Sequence, residues 1–471
     1  MNATQVDRTE LEISSQSDFG SEYEREPIPE HACKGPSSFW GMYAGEHTAG
    51  TEFMIGPLFV AWGASASSLL LGLLIGNLLA VLTWRFLTAE IATQRRLTLY
   101  YQLERIAGRK LVILYNLANG LLFCMLGGAM ITVSATAVGP FFPSMDMPTF
   151  ESRFPTGAGW ILACTLIGLA MTIVAAKGYD WVARIGHYSA PWMLLVFVAC
   201  ALVTLGRLDS VDLWELLSPP EGTPEKISFL GVVCFSWFCN AAMHLGMSDL
   251  SVLRFAKSHN AGYASAAGMF LGHYIAWICA ALLLVYWVRV HGVDPAKGKD
   301  PGTMVNDAVG AAGLICVIVA GWTTANPTIY RAGLAFQGVM PTLSRLSSTL
   351  IAGAICTFAG MFPAFAMNLL DFVGIYGTIL APIGAVIIVD HFLAKRFGIA
   401  REPAANGALS FNINVLLAWL IPVAIALFLH RQYGVFASYL PLPATILCGL
   451  LYIVLGKWRT PAFQNPTPFS K

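Results

Sequence analysis

The sequence predicts an all-α polytopic membrane protein with twelve transmembrane helices. Three observations carry that reading. Hydrophobic residues make up 56 % of the 471 positions and charged residues only 12 %. A soluble domain carries about 25 % charged residues, so this chain lacks the charge to cover a water-facing surface of its size. Next, twelve apolar runs approach the ~20 residues that a spanning helix needs. They lie near 42–63, 66–88, 111–137, 158–177, 189–206, 228–248, 262–288, 308–329, 347–365, 368–393, 411–430 and 437–456. Finally, threading the chain through those spans puts 21 of its 28 Lys and Arg on the side of both tails and seven on the other. Excess positive charge marks the cytoplasmic side, so both termini are expected there, in a plasma (inner) membrane.

Taken in order, residues 1–38 are polar and acidic and read as a flexible cytoplasmic tail, with no basic segment leading into an apolar one as in a signal peptide. Residues 39–457 are expected to form the membrane-spanning domain and 458–471 a second cytoplasmic tail. The runs do not alternate as barrel strands do, and helices satisfy their own backbone groups in lipid. Pro140–Pro155, Ser218–Lys226 and Val293–Thr303 carry the Pro, Gly and charge of external loops. The ten cysteines form no CxxC pair and no zinc spacing, and nearly all sit in apolar runs as small hydrophobes. A net charge of +1 offers nucleic acid no basic field. No GxxxxGK[ST] loop is present, which disfavours ATP-driven pumping. No large soluble segment remains to house an enzyme.

Three runs are interrupted by polar residues: Gly45–Glu52 in span one, Asn240–Asp249 in span six and Trp322–Thr328 in span eight. Spans one and six are five helices apart, and matched interruptions in two halves point to a transporter's central site. A helix broken at mid-membrane exposes carbonyls that suit a cation and amides that suit a polar solute. Glu52 is the sharpest residue, because a charge at a helix centre costs at least ~2.5 kcal/mol on insertion scales. It reads as a proton or cation coupler or as an acceptor for a substrate N–H, unless span one begins later and leaves it at an interface. His47 and His244 titrate near neutrality in water, yet each also fits as a packing histidine, and His273 is a weaker case. Asp249, followed by Arg254 and Lys257, reads as a cytoplasmic helix end, as does Asp390; Asp371 reads as an outer end. Thr323 and Thr324 offer oxygens for an alkali cation or bond back to their own helix. Pro327 frees a carbonyl, and Asn326 can both donate and accept. Phe123, Trp237 and Trp322 lie beside the interruptions and could stack on a flat ring or simply fill the core. Gly72 and Gly76 form a GxxxG that reads as helix packing.

At these residues the sequence resembles the nucleobase–cation symporters of the purine/cytosine permease class. Phe39-Trp40 with Gly45–Gly56, Leu74–Leu79, Ser248-Asp249 with Arg254–Lys257, Trp322-Thr323-Thr324 with Asn326, and Pro382–Asp390 carry the likeness in order. The resemblance implies a five-plus-five inverted repeat with helices one and six broken (repeat one about 39–206, repeat two about 228–393) and two extra helices within about 411–456. It implies a cation held by carbonyls near Gly45, His47 and Ala49, by the Ala320 carbonyl and by Thr323 and Thr324. It implies a substrate ring between aromatics of helices three and six. Phe123 takes the helix-three place, whereas the helix-six place falls on Asn240, with Trp237 nearly one turn earlier.

The expected function is therefore cation-coupled uptake of a purine, pyrimidine or related heterocycle by alternating access. The alternative is a related five-plus-five symporter for an amino acid, amine or other small polar solute, favoured if the aromatic sandwich is missing. Expected substrate-binding residues are Glu52, Phe123, Trp237, Asn240, Trp322 and Asn326, with Glu52 and His244 as coupling groups. No cofactor is expected beyond Na+ or H+ as coupling ion; the partners are a small solute and the bilayer.

Overall fold

A computed structural model describes residues 22–142, 144, 145, 147, 148, 152–155, 157–219, 224–239, 241–292, 294, 301–364 and 369–458. Regular structure among them is helical, and nine helices among the described residues are long and apolar enough to cross a membrane. Span one is α1 (Ser37–His47) and α2 (Glu52–Ala61), interrupted at Thr48–Thr51. The chain continues through α3 (Ala66–Arg95), the short α4 (Leu99–Ala107), α5 (Arg109–Thr136), α6 (Ala158–Ala176) and α7 (Tyr179–Arg207). Helix α7 starts ten residues before the expected 189, because Asp180 and Arg184 extend it past the apolar run and only Lys177 and Gly178, the latter at φ +94°, separate it from α6.

Span six is α8 (Phe229–Phe238), then the single turns α9 (Ala241–His244) and α10 (Leu250–Leu253), with Met247 between them at φ +63°. A non-glycine residue there marks a true break in the helix. After α11 (His259–His291) comes α12 (Pro301–Val309), a short helix that begins inside the expected Val293–Thr303 loop and ends at the start of the expected span eight. Helix α13 (Ala311–Val339) outruns its expected end at 329 by ten residues, and α14 spans Arg345–Gly360. Span ten is not one helix. It divides into α15 (Leu369–Leu380) and α16 (Ile383–Ile388, running on to Phe397) at Ala381-Pro382. The reason is close approach: a side chain at Gly384 would collide with the Leu245 carbonyl, so α16 begins directly on the broken backbone of span six. The short α17 (Pro403–Asn406) leads to α18 (Ile413–Tyr433) and α19 (Pro441–Trp458), which pack on each other.

Helices α5, α6, α13 and α14 pack together, while α1 lies between α7 and α11, and α3 lies along α8. Gly76 faces Ser236 and the Val233 carbonyl of α8 with no room for a Cβ, so the Gly72/Gly76 pair serves packing. The opposite face of α3 presents Leu71, Leu74, Ile75 and Leu78, each 41–48 % exposed, at i, i+3, i+4 and i+7 spacing. Such a stripe belongs in lipid rather than water. The protein is a multi-pass membrane protein.

From Glu22 onward, the stretch expected to be a flexible tail is fastened to the bundle. Arg254 is fully buried and donates to the Tyr23 and Glu22 carbonyls at 2.6 and 2.9 Å. A guanidinium out of water needs acceptors, and this segment provides them. Glu22 also accepts from the Tyr179 amide and the Tyr330 hydroxyl, each at 2.9 Å. Ile28 donates to the Arg96 carbonyl at 3.1 Å, and near the other end of the chain Gly456 lies against Ile399. Both described ends thus lie on one face. Residues 1–21 and 459–471 of the expected tails lie outside the described residues.

On that face the α16–α18 connection grips α4. Asn412 bonds the Ile106 and Ala107 carbonyls, and Glu402 receives Arg95 at 3.1 Å and Arg105 at 2.7 Å while its amide donates to Asp390 at 2.7 Å. Burial alone raises the Glu402 carboxyl, but the Arg105 hydrogen bond and the charges of Arg95 and Arg105 outweigh it and hold the group below its ordinary value. A depressed carboxyl adds stability at neutral pH that is lost as pH falls through its folded-state value. Glu402→Gln is accordingly expected to lower the melting temperature at pH 7 by a few degrees. The deficit should shrink on acidification; an equal deficit at pH 7 and pH 4 would remove the ionic explanation.

Candidate functional site

The break in span one sets one wall of the site. The Thr48 amide closes the last bond of α1 on the Ala44 carbonyl at 3.0 Å, and the chain re-enters a helix when the Glu52 amide bonds the Ala49 carbonyl at 3.1 Å. The carbonyls between are helix-end groups without helical partners. The Glu46 carbonyl meets α13, where the Thr324 hydroxyl donates to it at 2.7 Å and lies 3.1 Å from the Ala320 carbonyl. The Thr323 hydroxyl lies 3.1 Å from that same carbonyl and 3.6 Å from the Met193 sulfur. Pro327 has no N–H to give the Thr323 carbonyl. The Glu46 carbonyl, the Ala320 carbonyl and two hydroxyls thus collect hard oxygens, the donors an alkali cation accepts.

Of the other expected cation-site residues, Ala49 is buried in the break. Gly45 packs against Gly186 of α7. His47 turns away from α13: its carbonyl abuts Gly272, and its Nδ1 is 3.2 Å from His273 Nε2 on α11. The carbonyl that reaches Thr324 is that of Glu46.

A cavity of about 70 Å³ lies beside this cluster, bounded by Thr51 and Glu52, by Cys239 and Met243 of span six, by His273, and by Thr328. One water needs about 10–15 Å³ on this measure, so there is room for several waters or a small solute. Glu52 is 3 % exposed, accepts a hydrogen bond from the Trp277 indole at Oε2, and has His273 Nε2 3.7 Å from Oε1. His273 stacks on Trp277 with ring centres 4.3 Å apart, and its carbonyl accepts from Asn77 at 3.0 Å. A second cavity of about 340 Å³, ringed by Trp62, Phe235, Phe238 and Phe436, lies at the face opposite the chain ends, and Cys239 borders both.

Toward the chain ends the site is closed by buried charge. Arg331 donates to both oxygens of Glu46 and, at 2.5 Å, to Asp249 Oδ1; the Trp84 indole donates to Asp249 Oδ2. All three charged groups are at most 3 % exposed. This corrects the reading of Asp249 as a cytoplasmic helix end: it is buried and paired with Arg331. Sequence reasoning missed the group because it ended span eight at 329. The signal was present, since Thr324, Thr328 and Arg331 recur at i, i+4 and i+7, one helix face.

The remaining expected residues that are described do not line the inner cavity. Phe123 is fully buried in the core, and Trp237 donates to the Thr83 hydroxyl at 3.0 Å and stacks on Phe238. Trp322 is partly buried, with its indole N–H unpartnered, and both amide atoms of Asn326 are buried and unpartnered. His244 holds the Trp237 carbonyl at 2.9 Å and lies against Trp84, 4.2 Å between ring centres. Asn240 and the Asp371 side chain lie outside the described residues.

No protein-family model matches the chain, and no curated protein matches its sequence. Solved structures do match its fold. Mhp1, a nucleobase-cation-symport-1 family transporter in a closed conformation with bromovinylhydantoin bound, aligns at TM-score 0.73 and 14 % identity over 93 % of this chain and 95 % of its own. A Na+-coupled sialic acid symporter, substrate-bound and outward-open, aligns at 0.62 and 13 % identity over 94 % and 93 %. MhsT in complex with L-phenylalanine aligns at 0.56 and 14 % identity over 89 % and 97 %. The chain has the fold of these transporters, with helices one and six broken.

Proposed function

We propose that this chain is a secondary active transporter, in the plasma (inner) membrane with both termini cytoplasmic, that couples Na+ or H+ to uptake of a small nitrogen-bearing solute by alternating access. One observation carries the reading: a cavity bounded by the breaks of both span one and span six adjoins the cluster formed by the Glu46 and Ala320 carbonyls with Thr323 and Thr324. The carbonyls and hydroxyls hold the cation. Binding there draws α1 onto α13, which ties cation occupancy to the shape of the solute cavity.

One reading for the solute, a purine, pyrimidine or related heterocycle, is supported by the likeness in fold to a transporter with a hydantoin bound. The second reading, an amine or amino acid, is favoured by one feature. No Phe, Tyr or Trp is among the described residues lining the inner cavity.

Thermal stabilisation of the purified protein tests the proposal. A ligand that binds the folded state at 100 times its Kd adds about 2.7 kcal/mol. Nucleobases, hydantoins, amines and amino acids are screened in sodium and in potassium at two pH values. The expected result is a melting-temperature rise with one solute class that depends on sodium or on pH. A screen in which no solute shifts melting in any condition overturns the proposal.

A further inference from the structure

We infer that Glu52 is the anchor for a positively charged nitrogen, so that the transported solute is an organic cation: a protonated amine or an amidinium. The inference rests on the proposed transport function and names the solute class for that site.

Buried charge makes the argument. Three carboxyl groups around the site, Glu46, Asp249 and Glu52, are buried at no more than 3 % exposure. A single arginine, Arg331, answers two of them. Neither Lys nor Arg is among the described residues lining the inner cavity, which Glu46 and Glu52 both border. A carboxyl buried without a positive partner is costly to ionise, so Glu52 carries its charge when a cation enters the cavity beside it. A cation at the Thr324 cluster supplies one unit beside α1, and a solute cation at Glu52 supplies the second.

The geometry of Glu52 sets the form of the contact. Oε2 is taken by the Trp277 indole. Oε1 is 3.7 Å from His273 Nε2, beyond hydrogen-bond reach, and that nitrogen is engaged with His47 Nδ1 at 3.2 Å. One carboxylate oxygen is therefore left for a donor in the cavity, which suits a single N–H of an ammonium or amidinium. His47 Nε2 is buried without a partner at the same cavity. Apart from Thr51, Thr324 and Thr328, the rest of the described wall, including Ile55, Leu126, Met130 and Val373, is aliphatic or sulfur-bearing. Such a wall fits an alkyl or alicyclic body better than a stacked ring. A metal ion is a poorer occupant, because no group of three His, Cys, Asp or Glu among the described residues is placed to hold one.

The test is ligand-induced stabilisation of the full chain in sodium, using primary amines and amidines paired with uncharged alcohols and amides of the same shape. Charged members are expected to raise the melting temperature where their neutral counterparts do not. Glu52→Gln is expected to weaken amine binding about 10- to 100-fold, as for loss of a hydrogen bond to a charged group, and Glu52→Asp to restore part of it. If Glu52→Gln does not fold, the charged-against-neutral comparison in the unaltered protein and the Asp variant still decide. Equal shifts by charged and neutral partners overturn the inference, as does amine binding that survives Glu52→Gln. A sodium-dependent shift with neutral nucleobases alone overturns it while leaving the transport proposal standing, and a screen with no shift removes both.

Discussion

Replacing Arg331 with methionine is expected to stop transport and to cost the fold about 3–5 kcal/mol, the range for breaking a buried ion pair from one side. The guanidinium is fully buried and is held by Glu46, next to the break of span one, and by Asp249, after the break of span six. Without it, two carboxylates remain in the protein interior facing each other. Removing all three charges together, as Arg331→Met with Glu46→Gln and Asp249→Asn, is expected to recover most of the lost melting temperature, since a neutral set carries no unpaired ion. Transport is not expected to return. Arg331 stands on α13, while its partners belong to the two broken helices, so any motion of those helices past α13 must break and remake this junction. Transport restored in the triple variant would reduce the cluster to a structural plug.

How much of this could be read from the sequence depended on range. Among the described residues the apolar runs fall mostly on helix, nine helices there being long and apolar enough to cross a membrane, and the interruption at Gly45–Glu52 falls on the gap between α1 and α2. Those are local properties: run length, glycine, a polar residue among apolar ones. Helix ends were harder, because α7 and α13 continue beyond their apolar stretches on residues such as Asp180 and Arg331. A hydropathy window ends where charge begins, whereas a helix ends where its backbone partners end. The pairing of Arg331 with Glu46, 285 residues away, leaves no mark on either neighbourhood. Asp249 was misread for the same reason: Arg254 close by in sequence suggested a solvated end, yet Arg254 folds onto the Glu22 and Tyr23 carbonyls and leaves Asp249 to Arg331. Thr324 was legible as a hydroxyl in a helix, but only packing shows that it reaches the Glu46 carbonyl rather than just its own helix.

That contact yields the second large effect. Thr324→Val keeps the size and branching of the side chain and removes one oxygen. On the proposed cation site it deletes a ligand and leaves the Glu46 carbonyl without its 2.7 Å donor. Sodium affinity, read as sodium-dependent stabilisation or sodium-driven uptake, is expected to fall about 10- to 100-fold, as for loss of a group that supports a bound metal ion. Thr324→Ser keeps the oxygen and is expected to retain most of the response. Thr323→Val supplies the internal control, because its hydroxyl meets the Ala320 carbonyl and the Met193 sulfur rather than a group on α1. If the site works by drawing α1 onto α13, loss at Thr324 must exceed loss at Thr323 and must appear in the solute's apparent affinity as well as in sodium's, since coupling between two ligands is reciprocal. A Thr324→Val protein with unchanged sodium response would place the coupling ion elsewhere, and protons at Glu52 would then be the ones to follow.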